Sequence, residues 1–330
     1  MLALRVILNQ GVQVKAVTFW TPFFSKDLSP DALAANTDRS VKLPPILEYV
    51  RALGCDVEAV DLSDSYLDML HNPRFGYGKN VNPCIDCHIL MFETARRILE
   101  AEGFQFVFTG EVVGQRPKSQ HMGELRLIAR ESGLEDRLVR PMSAQLLPIT
   151  LPEMEGWLDR NRLFDFHGRT RKPQMELAKK YGIQEYPTPA GGCILTDPVY
   201  GNRVKDMWTH RGKEGLRWDD YMLLRIGRHL RTETGLKVVV GRHEMDNNLL
   251  EGFVKGRKRI EAVEEPGPVI LIDADADVDA EITAARICAR YCKKGREGSE
   301  IDIEIKTDDN FRVVRVAPFK PEETEAWLIR

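Results

Sequence analysis

Phe104-Gln105-Phe106-Val107-Phe108 runs into Thr109-Gly110-Glu111-Val112-Val113-Gly114-Gln115-Arg116-Pro117-Lys118-Ser119-Gln120, and this stretch decides the fold. A short, aromatic-rich apolar run that stops at Thr-Gly reads as a buried parallel strand. The polar turn after it then lies at the carboxyl edge of a sheet, where open α/β folds bind nucleotides. Gly110 and Gly114 permit close backbone approach. Thr109, Glu111 and Gln115 can bond to phosphate, ribose or an ordered water, and Arg116 and Lys118 can offset phosphate charge.

Strands and helices alternate on either side. Residues 2–10 read as the tail of a helix stopped by Gly11, 14–20 as a strand, 46–53 as a helix and 56–62 as a strand. Helices at 89–101 and about 121–132 flank the 104–108 strand. The alternation predicts an α/β domain on a doubly wound parallel sheet, opening mid-helix with no strand before it. Helices at 152–161 and 173–181 follow. Residues 201–219, rich in Arg, Lys, His and Trp, read as a linker. Strands at 236–240, 269–272, 301–305 and 311–316, with helices at 244–253 and 281–291, predict a separate C-terminal α+β domain. The expected division is 1–200, a linker 201–220, and 221–330.

At 330 residues, 43% hydrophobic and 29% charged, the chain has the composition of a soluble globular protein. Its formal net charge of -3 excludes a global basic field, so any RNA site must be a local patch. No apolar run is long enough to span a bilayer, and residues 1–8 lack the basic leader and cleavage site of a signal peptide. A cytoplasmic protein is expected.

Six cysteines are too few for a disulfide scaffold at this length. Cys84 and Cys87 form a C-x-x-C turn just before a helix. The helix dipole and free N–H groups there stabilise thiolates, the form that ligates metal or carries sulfur. Cys193 follows Gly191-Gly192. Three thiolates are one short of a closed four-cysteine site and leave one position open. Structural zinc with His88 as a fourth ligand, and a plain redox dithiol, stay open beside this. Cys55, Cys288 and Cys292 read as packing residues.

The Thr109–Gln120 stretch resembles the T-G-E-x-x-G-Q-x-x-S-Q signature of the tRNA 4-thiouridine synthetases, with one extra residue before Ser119. These are pyrophosphatase-loop ATPases of the adenine nucleotide alpha hydrolase-like group, related to the tRNA 2-thiouridylases. The resemblance implies ATP, with Mg, bound at Thr109, Gly110, Glu111, Gly114, Gln115 and Ser119. It also implies that Cys84, Cys87 and Cys193 are the catalytic sulfur site and hold an iron–sulfur cluster, with zinc as the alternative. The implied reaction is ATP-dependent sulfur transfer to a tRNA uridine, from sulfide or a persulfide carrier. The family's S-G-G-x-D-S loop and the strand before it do not occur in the sequence. Without that loop's N–H groups adenylation is expected to fail. The intact later motifs favour a start internal to a longer reading frame over a truncated, inactive chain.

Arg169, Arg171, Lys172 and Gln174 form a basic stretch at a helix start that suits a phosphate such as one of tRNA, while a solvated charged loop stays open. Val240-Gly241-Arg242-His243-Glu244-Met245-Asp246-Asn247-Asn248-Leu249-Leu250 resembles the V-G-R-N-x-x-x-N-x-x-L opening of the RNA-binding domain of the ribosome quality-control NFACT proteins, with His243 in place of the first Asn. A local basic cluster of Arg225, Arg228, His229, Arg231, Arg242, Lys255, Arg257, Lys258 and Arg259 supports it, with Arg228, Arg242, Lys255 and Arg257 the expected RNA contacts. The opposing reading is a non-catalytic RNA-binding protein with structural zinc and a relic nucleotide fold. The sequence leaves a homodimer open.

Overall fold

A computed structural model describes residues 1–21, 23, 45–183, 193–307 and 310–330. The chain divides into two compact units, with the boundary between Gly192 and Cys193.

In the first unit, α1 (Leu2–Leu8) buries Ala3, Leu4, Val6 and Ile7. The strand β1 (Lys15–Trp20) pairs in parallel with β2 (Asp56–Asp61), and α2 (Pro45–Ala52) lies between them in sequence. Next come α3 (Ser63–His71) and α4 (Cys84–Glu102), which ends on Gly103 at φ 76°. Glycine takes this left-handed cap without the Cβ clash other residues meet. A second parallel pair, β3 (Val107–Phe108) and β4 (Leu138–Val139), brackets α5 (Met122–Glu131). Ile85, Ile89, Phe92 and Leu99 of α4 meet Ile128, Ala129 and Leu134 in one buried cluster. Two short elements, α6 (Leu151–Met154) and α7 (Lys172–Lys180), complete the unit.

The unit therefore mixes helix and parallel strand, but among the described residues the strands form two separate pairs rather than one doubly wound sheet. The reason lies in the inner edges. Leu62 N–H donates to Trp20 O, and Thr109 N–H donates to Val139 O. Backbone groups alternate sides along a strand. Those of Val17 and Phe19 in β1, and of Phe106 and Phe108 at β3, therefore face away from their paired neighbours. These four residues line a groove of about 440 Å³. The helix expected over 152–161 stops early, because Gly156 at φ 70° ends it after α6. Residues 22 and 24–44, and the glycines before Cys193, lie outside the described residues.

The second unit begins with α8 (Pro198–Arg211) and α9 (Trp218–Leu223). The expected linker is thus helical. Tyr200, Val204 and Met207 recur at helical spacing and are buried, a stripe hidden among the charged residues around it. Six strands follow, all antiparallel: β5 (Arg228–Arg231), β6 (Lys237–Val240), β7 (Arg257–Ala262), β8 (Ile270–Asp273), β9 (Ile301–Lys306) and β10 (Phe311–Val316), in the order β10-β9-β7-β8-β6-β5. The helix α10 (Glu244–Leu250) follows β6. Against one face packs α11 (Val278–Tyr291), whose buried Ala284, Ala285, Cys288 and Ala289 let it lie close to the sheet. A single turn, α12 (Lys293–Arg296), and α13 (Pro321–Ala326) complete the unit. Among the described residues no helix is long and apolar enough to cross a membrane.

Candidate functional site

Pro83 caps α4, so Cys84 is the first residue of a 19-residue helix. Its sulfur accepts a hydrogen bond from Asn82 Nδ2 at 3.1 Å. Gly78 makes room for that amide, since a Cβ on it would lie 2.2 Å from Asn82 Nδ2. Gly78 N–H also donates to Asn82 O. Asp86, one turn in, accepts from the backbone N–H of Arg74 and Phe75 and ties the preceding loop to the helix. Cys84 is half-buried and Cys87 buried. Its place on the first turn of the helix, its amide donor and its partial exposure leave the Cys84 sulfur oriented and reachable.

The next residue, His88, bonds through Nδ1 to Glu111 Oε1 at 2.8 Å. Arg140 Nε donates to the other oxygen at 2.9 Å and its terminal nitrogen to Leu125 O. Glu111 and Arg140 are both about 5% exposed or less. Burial works against the Glu111 carboxylate, but the His88 hydrogen bond and the Arg140 guanidinium outweigh it and hold the group below its usual range. Glu111, expected to position nucleotide, is thus engaged inside the protein. His88, the fourth ligand of the zinc reading, has one ring nitrogen occupied. Arg140 carried no sequence signal, as its partners lie 29 and 15 residues away.

The rest of the loop is shaped by Gly114, at φ 73°, whose N–H donates to Gln120 O. A Cβ there would touch the Gly168 backbone at 3.4 Å, and Gly168 N–H donates to Val113 O. Ser143 links the two segments: its hydroxyl accepts from Val113 N–H and donates to Phe166 O. The Thr109–Gln120 loop therefore lies against residues 165–168. Val113 bridges in parallel to His167, bringing the loop beside the basic segment, and burial together with the like charge of Arg116 lowers Arg171 from its usual pKa. Two guanidiniums held near one another suit a phosphate. Arg169 and Lys172 are exposed, Thr109 and Gln115 are half-buried, Gly110 is exposed and Ser119 is buried.

Cys193 lies in the second unit, half-buried, and Cys55, Cys288 and Cys292 are buried. The Cys292 sulfur beside it, together with burial, pushes the Cys288 thiol up. Among the described residues no group of three or more His, Cys, Asp and Glu side chains is placed to hold a metal ion.

In the second unit the basic cluster read from the sequence is largely neutralised internally. Arg242 pairs with Asp246 at 2.6 Å, Arg257 donates to Phe253 O, and Arg259 pairs with Glu251 and Glu261. Lys258 is buried against Glu281. Lys255 is exposed, and Arg228 lies over the Tyr291 ring. His243 caps α10 by accepting from Asp246 N–H, the role that the Asn of the NFACT pattern would fill. Gly241 is required because a Cβ would lie 2.0 Å from Asn247 Oδ1, the oxygen that accepts from Val269 N–H.

Residues 227–328 match the family model of the NFACT protein RNA binding domain. The chain is also similar to a solved structure, the C-terminal part of the fibronectin/fibrinogen-binding protein from Streptococcus suis. Identity is 17% over 40% of this chain and 61% of that one, with a TM-score of 0.29. The match spans less than two thirds of that structure's length. No curated protein matches the chain.

Proposed function

We propose that the protein binds tRNA through its C-terminal unit and delivers sulfur to a uridine, with ATP as the activating substrate. The RNA half rests on the family match over 227–328. The sulfur half is carried by Cys84: half-buried, at the head of a long helix, with the Asn82 amide on its sulfur. In the proposed reaction the uridine carbonyl oxygen attacks the α-phosphorus of ATP and pyrophosphate leaves. Hydrosulfide then adds to the same carbon, AMP departs with the oxygen, and loss of the proton leaves C=S. Cys84 would hold and orient the entering sulfur. Arg116 and Arg171 would face phosphate. The doubly wound nucleotide fold belongs to this proposal, with the groove between β1 and β3 the place where one more apolar strand would join the two pairs. Iron–sulfur chemistry is not needed for the balance of the reaction.

The test is nucleoside analysis of unmodified tRNA incubated with ATP, sulfide and either this chain or a form extended by the in-frame residues encoded upstream. Thiouridine in the extended form supports the reading. Its absence from both, with tRNA bound, overturns the enzymatic half.

A second reading, a non-catalytic RNA-binding protein, is favoured by one observation: the Glu111 carboxylate is already taken by His88 and Arg140. Colourless protein with stoichiometric zinc, and no thiouridine, would select it.

A further inference from the structure

The segment Arg290-Tyr291-Cys292-Lys293-Lys294-Gly295-Arg296 carries cations that the cluster around β6 and β7 does not include. Cys292, at ψ 154°, stops α11, and α12 forms one further turn. Gly295 lets that turn fold back, since a Cβ on it would lie 1.8 Å from Ala289 O. Lys293 and Arg296 are left exposed. From the adjoining sheet, the Arg228 guanidinium sits 5.2 Å from the centre of the Tyr291 ring, and that of Arg290 sits 5.6 Å from it. Arg290 Nε is buried with no hydrogen-bond partner among the described residues.

Charge accounting separates this patch from the rest of the unit. Lys294 is ion-paired with Glu265, and Glu264 and Glu297 also act on it. Among the described residues no carboxylate forms an ion pair with Arg228, Arg290, Lys293 or Arg296. Elsewhere the arginines of β7, and Arg242 in the turn before α10, already have acidic partners. A ring that holds two guanidiniums, beside two solvated cations, matches the charge demand of a nucleic-acid backbone.

We infer that Arg228, Arg290, Lys293 and Arg296, ordered around Tyr291, form a binding site for the phosphodiester backbone of RNA. This rests on the RNA-binding reading above and names its surface. Guanidiniums held over the ring need little further ordering to meet a phosphate, and the lysine and arginine of α12 extend the contact along the strand.

The test is binding of fluorescently labelled unmodified tRNA to the full chain across a salt series. The variant Lys293→Ala/Arg296→Ala is expected to bind about tenfold more weakly at low salt and to lower the slope of log affinity against log salt by about 2. The charge-matched variant Arg315→Ala/Arg330→Ala removes guanidiniums that already have carboxylate partners, and is expected to keep the wild-type slope. Both variants alter exposed side chains, and unchanged thermal melting confirms the fold. If the wild type binds with a steep slope and the Lys293/Arg296 variant matches it, the patch is wrong and the RNA reading survives. If the wild type does not bind tRNA, both fall.

Discussion

At the scale of single residues, two contacts carry most of the account. The first is the Asn82 amide on Cys84. A hydrogen bond contributes about 1 kcal/mol net, so Asn82→Ala should slow Cys84 alkylation at fixed pH about fivefold. Gly78→Ala should do the same by displacing the amide, because the new Cβ takes its place. Mass-spectrometric alkylation rates at Cys84 check both; unchanged rates would remove the amide from the site. The second contact is the buried Glu111–Arg140 pair with His88. Arg140→Ala leaves a buried carboxylate without its cation and should cost about 3–5 kcal/mol in urea denaturation. The sign of the pH effect follows from the depressed Glu111 value. Its stabilisation is complete above the unfolded value of about 4.3 and is lost as pH falls below it, through the folded-state value. Wild type should therefore lose stability in that acid window, and Glu111→Gln should lose less. The Cys84 turn was legible from its spacing, and the Glu111 loop from its strand. Arg140 was not, because a buried ion pair depends on a partner that only the fold supplies. The pairing within the basic cluster was hidden for the same reason: Arg242 and Lys258 look free in sequence and are paired inward.

At the scale of elements, α8 shows why composition misled. Its polar residues suggested a linker, yet Asp206 accepts from both arms of Arg231 on β5 and from Lys237 on β6. Arg203 on the same helix donates to Leu224 O and Gly227 O. The helix is part of the sheet unit. Asp206→Ala strands two largely buried cations, and a loss of about 3 kcal/mol or more is expected in the unfolding free energy of the second unit. A neutral result would make α8 the connector that its composition suggested. The strands β5 and β7 escaped the sequence reading through a related effect. In Arg257–Ala262 the inward positions are Lys258 and Ile260, so apolar alternation is broken by a lysine whose charge Glu281 neutralises. The strands β6, β8 and β9 keep their apolar pattern uninterrupted over Val238–Val240, Ile270–Ile272 and Ile301–Ile305, and were readable.

At the scale of the whole molecule, the first unit has two parallel strand pairs whose inner edges line one groove. Unpaired edge amides exchange with solvent readily. The amides of Val17, Phe19, Phe106 and Phe108 should exchange faster than those of Val107 and Thr109, which donate across to Arg137 O and Val139 O. Protection of the first set in a form extended upstream would show a strand seated between the pairs. Equal, slow exchange in this chain would mean the edges are already covered. The parallel pairs were foreseeable from strand–helix alternation, whereas the break between them depends on which strand edges find a partner.

The central claim is that one protein binds tRNA and delivers sulfur from the Cys84 turn. Nucleoside analysis of tRNA after incubation with ATP, sulfide and the upstream-extended protein tests it most directly, with Cys84→Ser in parallel. Thiouridine with the native cysteine, and little or none with Cys84→Ser at unchanged tRNA affinity, is the predicted result. Equal thiouridine from both proteins, or none from either while tRNA is bound, would contradict it.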